Sequence, residues 1–356
     1  MTLPAFNQEE FKRAKLYLAT TVAAMMGRKF EEEDWAKVYA AAKGFKTSAW
    51  SNFDVDVMNG NLGVEHKMKG QDGASSLLEC CGRSILHPAG TRAFRFPNEI
   101  HNATEAAHDV LRQYGQKIAE RTYIVNIINS YHHGKYSRSE AMNELMKTGM
   151  GNPKAKELVP VERVPVGDAG APPDMRFGWL LWRRDLAEFL YFEQPMIIPD
   201  PSDFVGEWHE RQARGRRLPS RNLWIFRKST GTKEYSITNA AGAKVQPYFT
   251  IPLPSDPNLY HFRVQGERTD DGMVRVWLTH ETAQNLKFLL GDTSPARVVK
   301  FVSEKVSGLA SQPEIQRPPF EPVAVEILIP AETYCLLRSG GNSVSDEHAF
   351  RLLLSA

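Results

Sequence analysis

The spacing of apolar residues changes period several times along the chain, and each change predicts a change of element. In "NQEEFKRAKLYLATTVAAMMG" and again in "FEEEDWAKVYAAAKG" apolar residues recur every three and four positions, which predicts two amphipathic helices, the second closed by Gly44. Between Phe53 and Met68 the period drops to two around Asn59-Gly60-Asn61, the pattern of a β-hairpin. Helical spacing returns in "GASSLLECCGRSIL" and in "NATEAAHDVLRQYGQKIAERTYIVNIINS", where Asn102 or Thr104 can cap. Residues 149–175 are crowded with proline and glycine and predict a long loop or linker. Three hairpin-like units follow, "RFGWLLWRRDLAEFLYFEQPMII", "NLWIFRKSTGTKEYSITN" and "YHFRVQGERTDDGMVRVWLTH", each with a polar turn between aromatic and β-branched runs. A helix over Thr282–Leu290 and two late strands, "AVEILIPAETYCLLRS" and "HAFRLLLSA", complete the pattern, which contains no internal repeat. The expected class is mixed α/β: an N-terminal half, 1–175, and a β-rich half, 176–356, with the boundary between 150 and 205.

Composition narrows the function classes. The 356 residues are 42% hydrophobic and 24% charged, the balance of a water-soluble globular protein. No leader-like start and no run of 18 apolar residues is present, so a cytoplasmic, unanchored protein is expected. Three cysteines, two of them adjacent, offer neither a disulfide framework nor metal-ligand spacing. The net charge of +2 names no partner, so the distribution of charge matters more than its total.

The hairpin carries the densest candidate chemistry. Side chains two apart in a strand share a face, so Asp54 groups with Asp56, and Glu65 with Lys67 and Lys69. A two-residue turn at Asn59-Gly60 sets Asp54 opposite Glu65. One at Gly60-Asn61 sets Asp54 opposite Lys67 and Asp56 opposite Glu65. A three-residue loop sets Asp54 opposite His66 and separates the aspartates from Glu65. Under the two-residue turns the other face carries Phe53, Val55, Val57, Val64, His66 and Met68, suited to a core. Clustered carboxylates repel one another unless a divalent cation lies between them, and oxygen-only ligands favour Mg²⁺ or Mn²⁺. A neighbouring lysine can orient the attacking water and offset charge developing on a phosphate.

An aspartate on one strand followed after a turn by Glu-x-Lys on the next, here Asp54 and Glu65-His66-Lys67, resembles the PD-(D/E)XK nuclease superfamily, which includes most type II restriction endonucleases. The helix before the hairpin and the helical stretch after it are similar in order to that family's core, a mixed sheet flanked by helices. The resemblance covers residues 30 to 80 or so. Phe53 stands where the family has proline before the aspartate, and Asp56 rivals Asp54. The resemblance implies that Asp54 and Glu65 bind one or two Mg²⁺ and that Lys67 activates water. Some members add a helical glutamate, for which Glu31, Glu32 and Glu33 are candidates. It further implies a homodimer that cuts double-stranded DNA at a specific sequence and leaves 5′-phosphates.

A second candidate surface is basic. From Arg211 to Lys233 there are eight basic residues and no acidic one, interleaved with Trp224 and Phe226. Arg211, Arg214, Arg216, Arg217, Arg221, Arg227 and Lys228 are the expected DNA contacts, since arginine forks suit phosphates and guanine edges. The alternatives are a non-catalytic DNA-binding protein, in which this stretch carries the function, and a repair or recombination nuclease. His132-His133 and the "GGNSVSDEH" turn match no metal or phosphate motif.

Overall fold

A computed structural model of the chain describes residues 1–25, 29–45, 55–71, 76–86, 91–147, 159, 161–212, 220–238, 243–306, 324–339 and 345–355. The fold is mixed α/β, with three sheets and eight helices among those residues. Helix α1, Gln8–Ala24, starts at Asn7, whose side chain accepts from the Glu10 amide while the Glu10 carboxylate accepts from the Asn7 amide. Helix α2, Glu32–Lys43, ends at Gly44 in the left-handed conformation that residue adopts without penalty. Together they bury Ala14, Leu18, Val22, Trp35, Val38 and Tyr39 against one face of the central sheet.

That sheet has the order β1 (Val57–Asn59), β2 (Leu62–Gln71), β5 (Asp174–Arg183), β6 (Glu188–Pro195) and β11 (Tyr260–Arg263). The hairpin register pairs Val57 with Val64 and Asn59 with Leu62, so the turn is Gly60-Asn61, with Gly60 at φ +61. Strand β2 then runs parallel to β5, Glu65 lying opposite Phe177. Helix α3, Ala103–His132, provides the crossover between these parallel strands, as such connections require. It is capped by Asn102, which accepts from the amides of Thr104 and Glu105.

Helix α3 is the wall shared by two sheets. One side packs toward Gly63 and Met175 through Val125. Its first turn meets the second sheet, formed by β3 (Ser84–Leu86), β10 (Ala243–Thr250), β9 (Lys233–Thr238), β8 (Ser220–Arg227) and β7 (Phe204–Arg211), with β4 (Thr91–Phe94) also on β10. The approach is so close that a Cβ on Gly206 would lie 2.0 Å from the Ala103 carbonyl oxygen. Helix α4, Arg138–Lys147, packs on α3 through Ala141 and Leu145. A third sheet, β12 (Glu267–Arg268), β13 (Met273–Thr279) and β14 (Ala324–Pro330), is covered by α5 (His280–Leu290), α6 (Pro295–Val306), α7 (Ala331–Ser339) and α8 (Asp346–Ser355).

Several expected elements take another form. The described part of "GASSLLECCGRSIL", from Ser76 on, gives a 3-10 turn, Leu77–Cys80, and then β3, because Gly82 at φ +77 turns the chain before a helix can propagate. In the third expected hairpin β11 pairs with β6, and the hairpin itself is β12 with β13. "AVEILIPAETYCLLRS" is strand only as far as Pro330 and helix afterwards. "HAFRLLLSA" lies in α8, where Ala349, Phe350, Leu352 and Leu353 are buried at helical spacing. Strand β5 runs from Asp174 to Arg183, so position 175/176 falls inside it, and the central sheet takes strands from both sides of that position. No helix among the described residues is long and apolar enough to cross a membrane.

Candidate functional site

Strand β2 alternates faces in register with the hairpin, and the alternation sorts its polar residues. Glu65 and Lys67 stand on one face, the Lys67 ammonium donating to Glu65 Oε1 at 2.6 Å. Neither is a surface group: 7% of the Glu65 side chain and 11% of the Lys67 side chain are exposed. The Asp56 carboxylate, beside them, accepts from the backbone amide of His66 at 2.6 Å. Burial, reinforced by the neighbouring Glu65 carboxylate, pushes the Asp56 carboxyl up to about 8 in spite of Lys67. Burial alone would drive Lys67 down, but Glu65, Glu32 and Asp56 outweigh it, so the ammonium holds its proton more tightly than usual. Glu32, at the start of α2, thus acts on both Asp56 and Lys67 through its charge. Glu33 pairs on the surface with Lys37, and the Glu31 amide donates to Asp34. Asp54 lies outside the described residues.

The register is the one in which Asp56 falls opposite Glu65, so the chain brings together Asp56, Glu65 and Lys67 as expected of that turn. It also brings in a residue that the sequence reading missed. Arg121, on the buried face of α3 with 3% of its side chain exposed, places Nη2 3.7 Å from Glu65 Oε1. Among the described residues its buried Nε and Nη1 have no hydrogen-bond partner, and neither has Glu65 Oε2. The signal was present: Arg121 interrupts the apolar series Ile118, Ile124, Val125 at core spacing. Among the described residues no group of three His, Cys, Asp or Glu side chains is set to hold a metal ion. Asp56 and Glu65, one with an unpaired oxygen, provide two oxygen donors of the kind that suits a hard cation.

The opposite face of β2 holds His66, which is fully buried, and burial lowers its imidazole to about 3, so it is neutral. Its Nε2 lies 3.2 Å from the Tyr191 hydroxyl, which donates to Glu193 Oε1, and Glu193 Oε2 accepts from Arg176. Gly178 leaves room for this chain, since a Cβ there would lie 2.4 Å from the Tyr191 hydroxyl oxygen and 2.5 Å from His66 Cδ2. The string fixes the backbone of β2 from behind, directly under Glu65 and Lys67.

The basic stretch is distributed differently. Arg214, Arg216 and Arg217 lie outside the described residues, and Arg211 ends β7. Arg221 stacks on Trp208 with its guanidinium carbon 3.7 Å from the ring centroid and pairs with Glu210. Arg227 donates to Glu234 Oε2 at 2.9 Å, and Lys228 donates to the Ser202 carbonyl. Arg221 reaches from β8 to β7 and Arg227 from β8 to β9, while Lys228 ties the turn after β8 to the turn before β7. His132 ends α3 and accepts from the Val164 amide, in an open surface depression. Comparison with family models, with curated proteins and with solved structures finds no match to the chain.

Proposed function

We propose that this chain is a Mg²⁺-dependent endonuclease of double-stranded DNA, of the type II restriction kind. The observation that carries the reading is the convergence of Asp56, Glu65 and Lys67 on one side of a buried hairpin, with one Glu65 oxygen left unpaired. Burying two carboxylates side by side is costly, and the raised Asp56 carboxyl is the physical expression of that cost. A divalent cation relieves it, and Asp56 and Glu65, joined by Asp54 in the family pattern, would hold the ion. When bound, Mg²⁺ supplies Lewis-acid stabilisation of the phosphate and of the leaving oxygen. Lys67 keeps its proton, so it orients the attacking water and offsets negative charge on the phosphate instead of taking a proton. Attack in line breaks the bond from phosphorus to the 3′ oxygen and leaves a 5′-phosphate. A homodimer acting on a two-fold-symmetric site, with the β-rich half reading sequence, completes the proposal by analogy.

The test is incubation of the purified protein with plasmid DNA of known sequence in Mg²⁺, and then with EDTA. Discrete fragments that require Mg²⁺ and disappear in Glu65→Gln are expected. Intact plasmid under all conditions would refute the proposal.

A further inference from the structure

Arg121 is a buried charge that the proposed chemistry does not use. It sits deeper than Lys67 and Glu65, with 3% of its side chain exposed, and its ion-pair partner among the described residues, Glu65 Oε1, is at 3.7 Å and already accepts from Lys67 at 2.6 Å. Two of its nitrogens, Nε and Nη1, find no hydrogen-bond acceptor among the described residues. A leucine or methionine of similar volume would pack on α3 beside Ile118, Ile124 and Val125 without this burden, so the guanidinium gains its use from a ligand. Nη1 and Nη2 form one end-on fork, with Nη1 unpaired and Nη2 no nearer than 3.7 Å to Glu65 Oε1, and such a fork calls for an acceptor with two oxygens set as a carboxylate or a phosphate sets them, while Nε–H lies on another edge. Glu65 does not fill this role, because Lys67 already holds the oxygen nearer to Arg121.

We propose that Arg121 forms a phosphate subsite behind Glu65, which receives a backbone phosphodiester of the DNA substrate. The proposal rests on the nuclease reading for the source of the phosphate, though not for the subsite itself. Exposure decreases from Lys67 through Glu65 to Arg121, so an entering anion meets the Lys67 ammonium first and draws it from Glu65. The phosphate then lies between two cations, and Glu65 has both oxygens free for the metal side of the site. Lys67 bound to Glu65 is thus the resting arrangement, and Arg121 is the group that makes leaving it favourable.

The test needs no cleavage. In EDTA, with ionic strength matched by chloride, inorganic phosphate is expected to raise the Tm of the parent, leave that of Arg121→Met unmoved, and raise that of Arg121→Lys by less, since lysine keeps the charge and loses the fork. Arg121→Lys also decides the matter if the methionine variant fails to fold. In duplex binding with Ca²⁺ replacing Mg²⁺, the log-log salt slope of Arg121→Met should fall by up to about 0.9, one phosphate contact, while that of Arg121→Lys, which keeps the charge, should stay near the parent's. Equal phosphate shifts in parent and variants, or no shift in the parent, would overturn the subsite and reduce Arg121 to a counter-ion of Glu65. A shift lost in the variants, together with a parent that cuts no DNA in Mg²⁺, would keep the anion subsite for free phosphate and remove the nuclease reading.

Discussion

Asp56→Asn removes a charge and keeps the shape, which makes it the sharpest probe of the hairpin site. In the folded chain the Asp56 carboxyl is pushed up to about 8 by burial and by Glu65, against 3.8 for the unperturbed group. A carboxyl raised in this way contributes stability while it keeps its proton. That contribution is complete below about pH 4 and is lost as pH rises through 8. Each tenfold change in proton affinity is worth about 1.4 kcal/mol, so the ceiling on the loss is roughly 6 kcal/mol, and water reaching a residue that keeps part of its surface lowers it to about 2 to 5 kcal/mol. Asparagine has nothing to lose over that range. Urea unfolding of parent and Asp56→Asn at half-unit intervals from pH 4.5 to 8.5 should therefore show a falling curve for the parent and a flatter one for the variant, the variant being the more stable at pH 8. Added Mg²⁺ should flatten the parent curve too, since a cation substitutes for the proton. Parallel curves for the two proteins without metal would show that Asp56 ionises normally, and the argument from two crowded carboxylates would fail.

Lys67→Ala should lower cleavage by a hundredfold or more in a plasmid assay, while Arg121 remains as a partner for Glu65 and limits the stability loss to about 1–3 kcal/mol by urea titration. Glu188 is held down to about 2: burial would raise it, but His261, Ser76 and the Leu77 amide donate to it and prevail. Its contribution is present above about pH 4.5 and lost as pH falls toward 2, so Glu188→Gln should cost about 1–3 kcal/mol at pH 7 and nearly nothing at pH 2 by the same measurement. Gly178→Ala should destabilise by about 1–3 kcal/mol, because its Cβ would collide with Tyr191 and His66, and thermal melts of the variant check this.

The hairpin was readable because its information is local: Gly60 tolerates positive φ, and a period of two puts Glu65 with Lys67 whatever surrounds them. Among the three registers that the residues allow, the choice falls to Gly60-Asn61, where a Cβ on Gly60 would meet the Val166 carbonyl oxygen at 2.7 Å, a contact from a distant loop. Burial was not readable. A face of alternating charge looks solvated, and only α3 laid across β2 turns it into an enclosed cluster. Arg121 belongs to the same class, since its role depends on which strand its helix covers. The short apolar stretches at the end of the chain were ambiguous between periods, and α8 resolved toward helix because Ala349, Phe350 and Leu353 then meet β13 and its neighbours. In the basic stretch, charge was visible, but the partners that hold Arg221, Arg227 and Lys228 come from adjoining strands and a turn.

The parallel pairing of β2 with β5 has a bearing on how the molecule comes into being. The hairpin can close early, since both its strands are neighbours in sequence, but β5 reaches β2 only after the whole of α3 and the segment beyond it has been made. Until then β2 is an open edge, offering unpaired amides and carbonyls beside Val64, His66 and Met68 to any other strand. Synthesis therefore passes through a stage in which the nascent chain is prone to mispair, and the acidic and basic groups of Glu65 and Lys67 on that edge oppose stacking of like chains. A fragment ending at 175 would be held at that stage permanently and should aggregate at micromolar concentration.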